Sequence, residues 1–72
     1  MTERKKQLVI SELKKYTHLV DKYTTDKGYD NFDFFYDGEK NCWECLFFNR
    51  EDNVAEAYIS KTALGIVRLL EV

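Results

Sequence analysis

The sequence places its two cysteines three residues apart, in Cys42-Trp43-Glu44-Cys45. A C-x-x-C pair does redox chemistry where it begins a helix, because the helix N-terminus lowers the pKa of the thiol. Here the pair lies in a strand-like alternation, and residues three apart in a strand point to opposite faces. A tetrahedral zinc site needs four ligands, and the chain adds only His18 to the two cysteines. We therefore expect one core thiol, one surface thiol and no metal.

The remaining candidates for catalysis are one histidine and a run of carboxylates. His18 falls on the polar side of a predicted helix, without the paired nucleophile and third group that hydrolases use. The acidic residues lack the glycine at the sixth position and the glutamate at the twelfth that define a calcium loop. This acidic run comprises Asp26, Asp30, Asp33, Asp37 and Glu39. We expect a non-enzymatic protein without a cofactor.

Length and composition limit the kind of protein further. Seventy-two residues predict a single domain, which buries about 60% of the surface of the unfolded chain and has little room for a deep pocket. Aromatic residues make up 15% of the chain, whereas disordered chains are poor in them. The apolar runs are too short for a secretory signal or a membrane span. We expect a cytoplasmic location, no membrane partner and reduced cysteines.

The net charge of −2 conceals an uneven distribution along the chain. Residues 1–24 carry six basic and three acidic side chains, a balance of +3. Residues 25–57 carry three basic and nine acidic side chains, a balance of −6, and residues 58–72 carry two basic and one acidic, a balance of +1. The acidic middle of the chain is expected to attract a basic partner.

Hydrophobic periodicity predicts the elements that carry these residues. Near the N-terminus, apolar residues recur at alternating spacings of four and three: Val9, Leu13, Tyr16, Val20 and Tyr23. This spacing predicts a helix over residues 3–25, with Gly28 as its left-handed stop. Alternation over residues 29–36 and 42–48 predicts two strands joined by a turn at Asp37-Gly38.

The C-terminal segment is compatible with two folds. In the favoured interpretation, residues 54–59 form a third strand, and Ser60 caps a helix over residues 61–71. In the alternative, Asn53 caps one long helix over residues 54–71, which gives the order αββα. A three-stranded sheet is more stable than two strands alone. We therefore predict an α+β fold of the order αβββα, with both helices on one sheet face and Gly65 allowing a close helix–sheet approach.

Aromatic and apolar residues occur on both sides of the predicted strands, although two helices can cover only one sheet face. Phe32, Phe34, Trp43, Cys45 and Phe47 are predicted to face the helices. An exposed apolar patch with a polar rim is typical of a protein interface. The predicted partner-binding residues are Asp30, Asp33, Phe35, Asp37, Glu39, Glu44, Leu46, Phe48 and Tyr58, with Val54 beside them. A homodimer that hides the patch is an alternative.

Two resemblances bear on function. The predicted element order resembles the double-stranded RNA-binding domain, and Ser60-Lys61-Thr62-Ala63 resembles the Ser-Lys-Lys stretch that opens the last helix of that family. Where the family has a Gly-Pro-x-His loop, this chain has Asp37-Gly38-Glu39-Lys40. The resemblance implies nucleic-acid binding through basic helix residues: Arg4, Lys5, Lys6, Lys14, Lys15, Lys61 and Arg68.

In type, the chain is similar to phage-encoded inhibitors of host proteins, anti-CRISPR proteins included, which are small, acidic and rich in aromatic residues. That resemblance implies an inhibitor or modulator of a nucleic-acid-handling host protein. Our first hypothesis is therefore a protein-binding module that uses an acidic and aromatic sheet surface. The alternative hypothesis is the nucleic-acid-binding domain.

Overall fold

A computed structural model describes residues 2–71 of the chain. The elements follow in the order α1 (Glu3–Lys27), β1 (Asn31–Asp37), β2 (Cys42–Asn49), β3 (Asn53–Ser60) and α2 (Ala63–Leu70). This order confirms the predicted αβββα fold. The alternative with one long C-terminal helix is wrong, because its first half is strand β3.

Helix α1 is closed at both ends by the residues next to it. The Thr2 side chain accepts a hydrogen bond from the Lys5 backbone N–H at 3.2 Å, which satisfies one of the free donors of the first turn. At the other end, Gly28 adopts a φ of 75°, a left-handed conformation that glycine accepts without steric cost. The predicted glycine stop is confirmed, and α1 ends two residues later than predicted.

The three strands form one antiparallel sheet in the order β1-β2-β3. Residues 38–41 join β1 to β2, where the sequence predicted a turn, and Asn41 is the left-handed residue of this loop with a φ of 53°. Residues 50–52 join β2 to β3, and both Arg50 (φ 49°) and Glu51 (φ 72°) are left-handed. Consecutive left-handed residues without glycine are uncommon, so this loop needs support from outside its own backbone.

The hydrophobic core lies between the helices and one face of the sheet, which we call the inner face. Helix α1 supplies Tyr16 and Val20. The core is completed by residues from two strands and α2: Phe34, Trp43, Cys45, Phe47, Ala63, Ile66 and Val67. Every strand residue that was predicted to face the helices does so, because the alternation in β1 and β2 is regular. Both helices therefore cover the same sheet face, as predicted.

Helix α2 begins later than its sequence suggested. The predicted cap, Ser60, is the last residue of β3, and the actual N-cap is Thr62, whose hydroxyl accepts from the Gly65 backbone N–H at 2.9 Å. A β-carbon at Gly65 would overlap the Ser60 hydroxyl and would lie 3.0 Å from the Thr62 hydroxyl oxygen. The absence of a side chain at Gly65 therefore lets the first turn of α2 sit against the end of β3.

Strand β3 contains a bulge at Ala55. Phe47 pairs with Glu56 and the next residue, Phe48, pairs with Val54, so Ala55 has no partner in β2. An extra residue of this kind shifts the alternation of side chains by one position. As a result, Val54 and Glu56 lie on opposite faces of the sheet although they are two residues apart.

Candidate functional site

The face of the sheet opposite the helices is the candidate site, and we call it the open face. Its residues follow from the strand register, in which alternate positions of paired strands share a side. Four rows cross the sheet: Asn31–Phe48–Val54, Asp33–Leu46–Ala57, Phe35–Glu44–Ile59 and Asp37–Cys42. Within residues 2–71 both helices pack on the other face, so the open face meets solvent.

The apolar part of the open face is most exposed along β3. Ile59 is 58% exposed and Val54 is 54% exposed. Phe35, Leu46 and Phe48 are partly exposed. The outward direction predicted for these last three residues and for Val54 is confirmed. Together these five residues supply apolar surface on all three strands, with Glu44 between Phe35 and Ile59.

Carboxylates border this apolar surface on the β1 side and interrupt it in the centre. Asp33 is exposed on β1, and Glu44 on β2 lies opposite both Phe35 and Ile59. Of the part of the chain that the structure describes, the single ion pair within 4.0 Å is Lys22–Asp26 on α1. The two open-face carboxylates are therefore available to a basic group from outside.

Asp37 lies at the end of the open face and has a structural role in the first loop. Its Oδ1 accepts from the backbone N–H of Glu39 at 3.0 Å and of Lys40 at 3.3 Å. The bond from Lys40 is the main cause that lowers the pKa of Asp37 below its ordinary value. Lys40 and Lys61 line the same end of the face beside Cys42, where they offset the negative charge of Asp37 and Glu39, and Asp33 and Glu44 carry the remaining negative charge of the face.

Two further predicted site residues, Asp30 and Glu39, lie at the ends of the sheet. The Asp30 carboxylate accepts from the Arg50 backbone N–H at 2.8 Å, and so supports the left-handed loop of residues 50–52. Glu39 is exposed in the loop between β1 and β2. Neither residue belongs to the four rows of the open face, and Asp30 is accounted for by this structural contact.

The predicted outward direction of Tyr58 is wrong. Tyr58 pairs with Cys45, lies on the inner face and packs its ring against Phe47, with the ring centroids 6.1 Å apart. Its hydroxyl donates to the Glu56 carboxylate at 2.9 Å. A single alternation from Val54 to Tyr58 would place both side chains on the open face, but the bulge at Ala55 breaks that alternation.

Glu56 is the centre of a group of tyrosines at one end of the inner face. The hydroxyls of Tyr23 and Tyr58 each donate to its carboxylate at 2.9 Å. Burial alone would raise the pKa of Glu56, but hydrogen bonds from Tyr29, Tyr58 and Tyr23 lower it below its ordinary value. The hydroxyl of Tyr58, burial and the Glu56 carboxylate together raise the pKa of Tyr23. This group stabilises the contact of α1 with β3.

Sequence reasoning missed Ile59 and Ala57 as members of the open face. Both are exposed, and both point to the side of the sheet opposite to Tyr58. The sequence does separate two alternating sets: Glu56, Tyr58 and Ser60 are the more polar set, and the intervening Ala57 and Ile59 are apolar. Which set faces inward is decided by the tyrosine hydrogen bonds, and period-two patterning does not report these bonds.

The two cysteines point to opposite faces, as predicted, but both are buried. Cys45 is fully enclosed on the inner face, and burial raises the pKa of its thiol to about 12. Cys42 is on the side of the open face, yet it is only 6% exposed. The prediction of a surface thiol is therefore wrong for Cys42, because Lys40, Ser60 and Lys61 surround it.

Most of the other candidates from the sequence belong to the helices. His18 is exposed on α1. Residues 2–71 contain no group of three or more His, Cys, Asp or Glu that could hold a metal ion. The basic residues of the nucleic-acid alternative are exposed: Arg4, Lys5, Lys6, Lys14, Lys15, Lys61 and Arg68. Lys5 lies over the Tyr36 ring, with 4.8 Å between Nζ and the ring centroid, at the edge of the sheet.

Neither α1 nor α2, the two helices within the described residues, is long and apolar enough to cross a membrane. The chain matches no protein-family model, no curated protein and no solved structure.

Proposed function

We propose that the protein is a small non-enzymatic binding module that holds another protein against its open face. The observation that supports this proposal is the exposure of Ile59 and Val54, each more than half exposed, on a surface that continues into Phe35, Leu46 and Phe48. Contiguous apolar surface of this kind is typical of interaction sites. Burying it against a partner would contribute roughly 25 cal/mol for each Å² removed from water.

The charges on the open face favour a basic partner. Asp33 and Glu44 stand beside the apolar residues and have no ion pair within the described chain. Carboxylates at the border of an interface steer a positively charged partner and fix its orientation more than they add affinity. Helix α1 carries most of the exposed basic residues, and Lys40 and Lys61 lie at one end of the open face, so the electrostatic field turns the part of the face around Asp33 toward such a partner.

A partner with a basic surface points to a class of protein. Proteins that handle nucleic acid present lysine and arginine to phosphate groups, and such a surface is complementary to Asp33 and Glu44. A module bound there would compete with the nucleic acid. We therefore propose that it acts as an inhibitor or modulator of a nucleic-acid-handling protein, in the manner of phage proteins that act against host defence.

Self-association through the open face is less favourable than binding a basic partner. A two-fold axis would place the same surface on both copies, so the Asp33 and Glu44 carboxylates of both copies would be brought into one interface. Like charges held close together in an interface are destabilising. Light scattering on the purified protein tests this argument: a stable dimer that dissociates on an Ile59→Asp substitution would contradict it.

The proposed function is tested by capture from the native cell with two pairs of matched variants. Ile59→Asp changes the open face, and Leu8→Asp changes a leucine of α1 that is equally exposed, at 56%. Asp33→Lys reverses an exposed charge on the open face, and Asp21→Lys does so on α1. Captured proteins are identified by mass spectrometry, and thermal melting verifies that each variant is folded.

We expect one basic protein to be retained by the wild type, Leu8→Asp and Asp21→Lys. Its recovery should fall at least tenfold with Ile59→Asp and Asp33→Lys. Equal recovery with all four variants, or a loss confined to the α1 variants, would reject the open face as the binding surface. Retardation of duplex or single-stranded nucleic acid at low salt, lost when Lys14 and Lys15 are replaced, would favour the nucleic-acid-binding alternative.

A further inference from the structure

We infer that the partner element on the open face is an amphipathic α-helix with lysine or arginine along one flank, an inference that rests on the proposed function. The open face is apolar toward β3 and acidic toward β1. A partner element that lies along the strands must therefore be apolar where it faces β3 and basic where it faces β1. Three properties of the face favour a helix over a loop or a single strand.

The first property is the lack of hydrogen-bonding backbone on the open face. The face presents side chains: the backbone groups of β2 pair on both sides, and the outer groups of β1 and β3 point along the sheet edges rather than onto the face. A loop or isolated strand that lay across Leu46 and Phe48 would bury N–H and C=O groups without partners, at a cost of about 1–3 kcal/mol for each. A helix satisfies these groups internally, so it can lie on an apolar surface.

The second property is the size of the face. Three strands place the outer two axes about 10 Å apart, and a helix with its side chains is about 10–12 Å in diameter. Strands of seven and eight residues are about 23–27 Å long, which corresponds to about 15–18 residues of helix. One helix of ordinary length therefore covers the face from end to end.

The third property is the asymmetry of the side chains. Val54, Ala57 and Ile59 on β3 form an apolar row, with Ala57 as a low point between two larger side chains. Asp33 on β1, and Glu44 on the central strand beside Ile59, supply the unpaired carboxylates. A helix with an apolar stripe over β3 and over Leu46 and Phe48 of β2 would direct the next flank of its surface toward Asp33 and Glu44. Lysine or arginine on that flank completes the match.

Synthetic helices test the inference directly. Three 16-residue peptides are compared. The first is a helix with a leucine stripe and a lysine–arginine flank, and the second has the same stripe with a glutamate flank. The third is a strand-like peptide in which leucine and lysine alternate, and the three differ in composition only at these designed positions. Binding is followed by NMR of the backbone amides and by circular dichroism in 50 mM salt. We expect the basic helix to bind at least tenfold tighter than the other two, with shifts confined to the strands.

Matched variants identify the contact. Ile59→Asp should weaken binding of the basic helix at least tenfold, whereas Leu8→Asp should change it less than twofold. Asp33→Asn should reduce the preference for the basic over the acidic helix, and Asp21→Asn should leave it unchanged. Tighter binding of the alternating peptide, equal binding of both helices, or shifts on α1 would overturn the inference.

The two proposals fail in different ways. If the cellular partner is captured through Ile59 and Asp33 but the basic helix does not bind, the helix inference is wrong and the binding function stands. Hydrogen exchange on the captured complex would then identify the partner segment that is protected. If the open-face variants capture as well as the wild type, both proposals are wrong.

Discussion

The Tyr23 hydroxyl in α1 donates a 2.9 Å hydrogen bond to the Glu56 carboxylate in β3, 33 residues later in the chain. This contact joins the long helix α1 to the edge strand β3. The opposite side of β3 supplies Val54 and Ile59 to the open face. The position of the exposed apolar row therefore depends in part on a polar contact on the other side of the sheet.

The contact at Glu56 makes stability depend on pH. The pKa of Glu56 is lower in the folded protein, so its contribution is fully present above the ordinary value of 4.5 and is lost as the pH falls through the folded pKa. We expect Glu56→Gln to lower the free energy of unfolding by about 1 kcal/mol at pH 7. The difference from the wild type should shrink toward pH 3, as measured by urea unfolding at each pH.

A matched carboxylate serves as the control for that experiment. Glu71→Gln removes an exposed acid at the end of α2 and should leave both the stability and its pH dependence close to those of the wild type. A difference between wild type and Glu56→Gln that stays constant from pH 7 to pH 3 would contradict the role assigned to the charge.

Asp30 is expected to affect stability rather than recognition. Asp30→Ala removes the acceptor for the Arg50 backbone N–H and should destabilise the fold by about 1 kcal/mol, because the left-handed loop loses its support. Asp30→Asn keeps a side-chain oxygen and should lose less than half as much. Thermal melting measures both variants, and stability unchanged in Asp30→Ala would show that the loop does not need this bond.

The thiols are expected to be unreactive in the folded protein. Burial raises the pKa of Cys45 to about 12, so little thiolate is present at pH 8, and Cys42 is shielded by its surroundings. Treatment with a maleimide at pH 8 should label neither residue in the native state and both in denaturant, as read by mass spectrometry. Native labelling of Cys42 would restore the surface thiol that the sequence predicted.

Gly65 is expected to resist substitution even though it lies inside a helix. Alanine is a better helix former than glycine by about 1 kcal/mol, but here its β-carbon would overlap the Ser60 hydroxyl and crowd Thr62. We expect Gly65→Ala to destabilise the protein by about 1–2 kcal/mol in urea unfolding. Adding Ser60→Ala should recover part of the loss, and a stabilised single variant would contradict the close approach.

The sequence was sufficient for the parts of the fold in which local periodicity and packing agree. The apolar stripe of α1 and the alternation of Phe32, Phe34 and Tyr36 correctly indicated the surfaces that meet in the core. The open face followed from the same alternation, so Phe35, Leu46 and Phe48 were placed correctly. These residues belong to β1 and β2, whose pairing with each other is regular from end to end.

The errors fall where a local signal competes with tertiary contacts. Ser60 and Thr62 are both good helix caps, and the choice between them depends on how far β2 extends the pairing of β3. Tyr58 was assigned to the wrong face because a bulge has no periodic signature. Cys42 is buried by lysines and Ser60 around it, a packing effect that alternation in a strand cannot indicate.

The bulge at Ala55 divides β3 into two stretches with opposite phase. From Glu56 to Ser60 the side-chain directions are fixed by the core. The directions of the Asn53 and Val54 side chains depend on the unpaired residue Ala55. If Ala55 instead of Val54 paired with Phe48, Val54 would turn away from the open face without altering the direction of Ile59. A shift of the pairing by a single residue can therefore reshape one end of the apolar row, so this strand offers a way to alter which surface the protein recognises while its interior is preserved.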